Sequence, residues 1–182
     1  KDEYLYQLIE ALFFGAMTIL GVYNLFLFIF TKDRVYIYYV VYIFGMTFHQ
    51  LMYLGFGQLY VFSPESSAIL YYFGVTQVNI PLIASILFTQ KLLDTHKYPI
   101  LNRLLNLHLI ALIALCVLCY KNILLDTDYI AVVIVPLIVL LIITGIKAFI
   151  DKHPLSGMYL AGWSAVLSCW VFMAISNFGL FN

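Results

Sequence analysis

Few residues of this chain have the types and spacing for chemistry. Cys116 and Cys119 form a Cys-x-x-Cys pair, a spacing that can hold a metal or cycle between thiol and disulfide. A metal site would want a second pair, and a redox thiol would want a helix N-terminus to lower its pKa. This pair falls near the end of an apolar segment, and the third cysteine, Cys169, is far along the chain. Packing is the expected role of all three, and their number leaves the redox compartment open. His49 and His108 lie inside apolar segments. Facing imidazoles between bundle helices can ligate haem, but no paired spacing accompanies these two, so each is expected to hydrogen-bond structurally. His96 and His153 fall in polar connections and are expected to be solvated.

Asn24, Gln50, Gln77 and Asn79 are uncharged polar residues within apolar runs. Lipid offers them no partner, so they must pair inside a bundle. With His49 they form a candidate intramembrane polar relay; the simpler role is hydrogen-bonded glue between helices, worth about 0.6 kcal/mol each. No Gly-rich phosphate loop, paired catalytic carboxylates or Ser-His-Asp arrangement is present, and no basic stripe suits nucleic acid. The expectation is a non-catalytic chain with no cofactor and no metal.

The elements that position these residues follow from composition. Of 182 residues 64% are hydrophobic and only 10% charged, against about a quarter charged in soluble domains. So apolar a chain cannot hide its surface in a water-soluble fold of this size, which makes the lipid bilayer its first partner. No Asp, Glu, Lys or Arg occurs in 11–31, 35–64, 66–90, 104–120, 129–146 or 153–182. A span needs about 20 apolar residues. The sequence therefore predicts an all-α antiparallel bundle of six transmembrane helices in one domain, near 8–30, 35–55, 68–91, 102–120, 129–150 and 157–178. Alternating strands of a β-barrel are excluded by runs this continuous.

Pro81 and Pro136 each remove a backbone donor from such a helix, which predicts a kink or local loosening. Ala11-x3-Gly15 and Gly157-x3-Ala161-x3-Ala165 predict close helix approach. Tyr36, Tyr38, Tyr39, Tyr71, Tyr72 and Tyr129 have the placement of interfacial belts.

Orientation follows from the basic residues. Lys32, Arg34, Lys91, Lys97, Arg103, Lys147 and Lys152, seven of the nine, fall in or beside the first, third and fifth connections. The positive-inside rule then puts those connections in the cytoplasm and the N-terminus outside. Thr31-Lys32-Asp33-Arg34 becomes a tight cytoplasmic turn between two apolar walls. Its Lys32, Asp33 and Arg34 are candidates for a rigid coupling between the first two helices, because so short a turn leaves little slack. Six spans return the chain to the outer face, so a seventh helix is expected downstream of a piece excised from a longer polypeptide.

Gly21, Tyr23, Asn24 and Phe28, then Lys32-Asp33-Arg34, Tyr36 and Tyr39, resemble the first helical hairpin of a known family. It is the bacterial seven-transmembrane receptors with diverse intracellular signalling modules. Gln50 with Gly55-Phe56-Gly57 continues the resemblance, as do Leu92-Leu93-Asp94 through Tyr98-Pro99 to Leu104-Leu105. It ends with Tyr159-Leu160-Ala161-Gly162-Trp163-Ser164 and Asn177-Phe178-Gly179-Leu180. The resemblance implies a multi-pass module in the bacterial inner membrane, with an extracytoplasmic sensor domain before it. It further implies a seventh helix and a cytoplasmic output domain of histidine kinase or diguanylate cyclase type after it. Such outputs generally work as dimers, which brings a homodimer into view.

Two functional readings follow. The favoured one is a receptor's membrane module that relays a signal by rearranging helices. The other is a small six-helix transporter or haem-binding electron carrier. Transporters usually place ionisable residues at mid-membrane, and apart from histidine this chain has none there.

Overall fold

The computed structural model describes residues 2–56, 67–120 and 128–164. Among them the regular elements are helical: α1 (Asp2–Thr31), α2 (Arg34–Tyr53) and α3 (Ser67–Leu92), then a 3-10 turn (Thr95–Lys97), α4 (Pro99–Tyr120), α5 (Asp128–Ile150) and α6 (156–164). Within these, Glu10–Thr31, Arg34–Met52, Pro99–Leu118 and Val133–Ile150 are long and apolar enough to cross a hydrocarbon core. The apolar stretch in α3, Val78–Leu92, is shorter. α1 starts about two turns before the expected residue 8, because a helix can continue past the end of its apolar run. α4 starts at Pro99 rather than near 102, since proline suits the first helical position, where its missing N–H is no loss. The sixth helix begins at the expected place, and the remainder of the expected span to 178 lies outside the described residues.

Chain neighbours pack on one another: α1 on α2, α2 on α3, α3 on α4, and α4 on α5. Three glycines set how closely. A Cβ at Gly21 would stand 2.7 Å from Phe44 Cζ, and one at Gly45 would stand 3.0 Å from the Pro81 ring. At Gly145 it would meet Tyr159 Cε1 at 2.7 Å. Pro81 is thus buried in the face of α2, and α3 runs on through it as α-helix.

The small-residue spacings behave differently from expectation. Nothing lies within 4 Å of a Cβ at Gly15, and Ala11 is exposed. Gly157 meets only Phe149, at an ordinary 3.9 Å, and Ala161 is exposed. Ala165 lies outside the described residues. Small residues permit close approach but do not cause it; the partner helix must present a bulky group opposite, as Phe44, Pro81 and Tyr159 do.

The buried apolar clusters both include α5. Its buried residues Ile134, Leu137, Leu141, Thr144 and Ala148 recur every three or four positions, one stripe of an α-helix. Leu137, Leu140 and Leu141 pack with Ile86 of α3 and with Leu105 and Leu112 of α4. Leu93, Ala148 and Tyr159 make a second cluster, which draws α6 in.

Candidate functional site

The first site to build is the Thr31–Arg34 turn. α1 ends at Thr31 and α2 begins at Arg34, so only Lys32 and Asp33 join them. Lys32 takes a left-handed conformation (φ 56°), and its N–H donates to Phe28 O at 2.8 Å, closing α1 with an αL cap. The Thr31 hydroxyl donates to Leu27 O at 2.7 Å and accepts from the Asp33 N–H at 3.3 Å. Asp33 is the N-cap of α2, its carboxylate accepting from Val35 N at 3.0 Å. Each residue of the expected coupling turn therefore sits in or beside a hydrogen-bonded cap.

The two other connections at this basic end use the same device. Asp94 (φ 48°) and Lys152 (φ 59°) are also left-handed without being glycine. At Lys152 the bonds from Lys152 N to Phe149 O and from His153 N to Ala148 O make a Schellman motif. His153 is not solvated as expected. Its side chain is only 12% exposed and lies 4.0 Å from Asp94, because the α5–α6 turn packs beside the α3–α4 turn. His96 is exposed.

Two polar clusters join helices near this end, and neither shows in the sequence pattern. Gln90 donates to Asn102 Oδ1 at 3.2 Å and to Asn106 Oδ1 at 2.8 Å, while the buried Thr95 hydroxyl also donates to Asn102 Oδ1. α3, the 3-10 turn and α4 are tied together by this set. In the second cluster, buried Thr89 lies 3.0 Å from the Tyr159 hydroxyl, which donates to Leu141 O at 3.2 Å. Thr89 in turn donates to Ser85 O at 2.8 Å. Two hydroxyl protons thus serve three contacts joining α3, α5 and α6. The available signal was three residues from three different apolar runs, which no local spacing connects.

The five expected relay residues divide between two levels. Asn24 is buried, and its amide donates to Leu20 O of its own helix at 2.8 Å. It shares a cavity with Ser85. The contacts of Gly45 with Pro81 and of Tyr39 with Phe88 fix the α2–α3 register, which puts His49 and Asn79 farther from the basic end. Asn79 stands six residues before Ser85 in α3, about 9 Å along the axis. His49 Nδ1 and Asn79 Nδ2 are buried with no hydrogen-bond partner among the described residues. A buried unmet polar group costs about 1–3 kcal/mol. Gln50 is half-buried, and the Gln77 side chain lies outside the described residues.

His108 behaves as a structural histidine, its Nδ1 donating to Leu104 O at 3.2 Å. His49 and His108 are on α2 and α4, each of which packs against α3. Cys116 is half-buried; the Cys119 side chain and Cys169 lie outside the described residues.

The cavity has a volume of about 440 Å³. Asn24 and Leu20 of α1 line it, with Tyr36, Tyr39 and Tyr42 of α2. α3 contributes Ser85, Phe88 and Leu92, and α6 contributes Met158, Gly162 and Trp163. Tyr39 stacks on Phe88 with centroids 5.3 Å apart. Tyr36 and Tyr39 therefore belong to an internal wall as much as to the expected interfacial belt.

Residues 6–182 match the family described as 7TM diverse intracellular signalling. The chain belongs to that family. It is a multi-pass membrane protein and a membrane signalling module, as the sequence resemblance implies. No curated protein and no solved structure matches it.

Proposed function

We propose that this chain is the transmembrane relay of a bacterial receptor, placed in the cytoplasmic membrane with its N-terminus outside. A sensor domain before α1 and an output domain of histidine kinase or diguanylate cyclase type would complete the receptor. In this reading the bundle has six antiparallel spans within the chain and a seventh beyond it, and carries no reaction itself. The clustering of basic residues in the first, third and fifth connections supports the orientation. Buried His49 Nδ1 and Asn79 Nδ2, without a hydrogen-bond partner among the described residues, support a bundle with a second arrangement, since buried unpaired groups are uncommon in native structures.

The observation that carries the relay reading is the Thr31–Arg34 turn. A displacement of α1 reaches α2 through two residues that are capped on both sides. A flexible linker would dissipate the same displacement through its own disorder.

A Gly-Ser spacer of about eight residues inserted between Asp33 and Arg34 tests the coupling, since it keeps both basic residues and adds only slack. The whole receptor should keep its abundance and topology and lose its ligand response; a full response would leave the turn as a topology signal alone. Cysteines placed at Asp33 and Glu65, on a background lacking the native three, should label from opposite faces. Outside reagent reaching position 33 in intact cells would reverse the orientation.

A further inference from the structure

The cavity among α1, α2, α3 and α6 ends at a basic rim. Val35 and Tyr36 in its lining follow Arg34, Leu92 follows Lys91, and Leu155 comes three residues after Lys152. All three cations are exposed. The acids of the same turns are engaged elsewhere. Asp94 faces Lys97 at 3.6 Å, Asp151 faces Lys147 at 2.8 Å, and Asp33 caps α2. Among the described residues Lys32, Arg34, Lys91 and Lys152 make no ion pair. The rim is left with positive charge that the protein does not neutralise.

The interior has the opposite character. The buried Asn24 and Ser85 each donate within their own helix, Asn24 to Leu20 O at 2.8 Å and the Ser85 hydroxyl to Leu82 O at 2.7 Å. The rest of the lining is aliphatic or aromatic, apart from tyrosine hydroxyls. A sugar, amino acid or nucleotide would lose its hydration here and regain only a few hydrogen bonds. An apolar chain would not.

Size narrows the choice. A volume of 440 Å³ lies within the roughly 300–1,000 Å³ of ligand clefts. A membrane-crossing helix about 10 Å wide and 30 Å long fills roughly 2,400 Å³, some fivefold more. We propose that the cavity holds one acyl chain of an anionic phospholipid, whose phosphate headgroup is bound at the rim by Arg34, Lys91 and Lys152. An apolar cleft beneath unpaired cations is complementary to both ends of that molecule. A zwitterionic lipid matches only the cleft.

Trp163 in the wall is a built-in reporter, and Trp170→Phe leaves it the single tryptophan of residues 1–182, the stretch within reach of brominated acyl chains. The whole polypeptide carrying that change is placed in phosphatidylcholine nanodiscs with a small, equal mole fraction of phosphatidylglycerol or phosphatidylcholine brominated in its chains. Brominated phosphatidylglycerol should quench Trp163 at the lower mole fraction. Arg34→Gln and Lys152→Gln should each raise the half-quenching fraction about fivefold, the effect of one basic residue near an anionic surface. Gly162 lines the cavity and has nothing within 4 Å of an added Cβ, so Gly162→Leu obstructs the space without a backbone clash. It should abolish the lipid preference and leave the thermal midpoint unchanged. Equal quenching by the two lipids overturns the proposal, as does a preference that survives Gly162→Leu. Absent quenching, with Gly162→Leu lowering the thermal midpoint, overturns it in favour of a protein segment filling the cleft.

Discussion

α1 and α5 are each long and apolar enough to hold a membrane span but sit very differently in the molecule. Among its described side chains α1 buries only Gly21 and Asn24, whereas α5 buries a full stripe from Ile134 to Ala148. Leu12, Ile19, Phe26 and Phe30 of α1 stay exposed. In water such exposure would cost dearly; in a bilayer lipid tails are as apolar as leucine, so hydrophobicity does not decide which helix is central. Shape does. α5 has Gly145 opposite Tyr159, with α3 and α4 leucines filling the rest, while Gly15 of α1 faces open space. The difference teaches that membrane helices are distinguished by what fits against them, not by how apolar they are.

The sharpest way to break the comparison is to enlarge one glycine on each helix. Gly145→Leu drives a side chain into Tyr159 and Leu160, with contacts starting at 2.7 Å. Overpacking of this kind should destabilise by about 1–3 kcal/mol. Gly15→Leu meets nothing and should leave stability unchanged. Thermal unfolding in detergent measures both, and equal losses would mean that α1 is packed as tightly as α5.

A second test acts where α1 joins α2. Asp33→Ala removes the carboxylate that accepts from Val35 N and should cost about 1 kcal/mol. Hydrogen exchange of the first turn of α2 would report it. Protection unchanged from the parent would show that the cap is not what fixes the turn.

A smaller loss is expected at the α3–α5–α6 junction. Tyr159→Phe deletes the hydroxyl shared by Thr89 and Leu141 O. Interhelical hydrogen bonds in membranes average about 0.6 kcal/mol. Tyr23→Phe on exposed α1 is the matching control, and the two midpoints should differ by that modest amount.

How much of this was legible beforehand depends on the range of each interaction. The helices among the described residues and the basic end were readable, because charge-free length and the placement of lysine and arginine are properties of the linear chain. The Thr31–Arg34 turn was readable as well, since its caps bond residues two to four apart. Gly145 with Tyr159, Gly45 with Pro81, and Gln90 with Asn102 were not. Each joins residues from different helices, and only the register of packed helices brings them together. His153 misled for the same reason: a polar residue in a connection reads as solvated until a second connection covers it.

The smallest expected effect is at the rim of the basic end. Lys147 donates to Asp151 at 2.8 Å, and that hydrogen bond holds the Asp151 carboxyl below the ordinary carboxylate range. A depressed folded value means the pair stabilises above the ordinary carboxylate pKa and loses its effect as pH falls through the folded value. Asp151→Asn should therefore lower the thermal midpoint slightly near neutral pH and not at all in strong acid. High salt should shrink the difference, because both groups are exposed.

The polar side chains of α1 share one habit with mechanical meaning. Thr18 donates to Phe14 O, Asn24 to Leu20 O and Thr31 to Leu27 O, each bond closing within the helix. Among the described residues no hydrogen bond ties α1 sideways to another helix. It resembles a shaft in a greased sleeve: axial travel or rotation breaks no directional bond among the described residues and works against apolar seating such as Gly21 on Phe44 and Phe14 on Phe56. The directional bonds that resist it are then gathered at the two-residue elbow where the shaft meets α2.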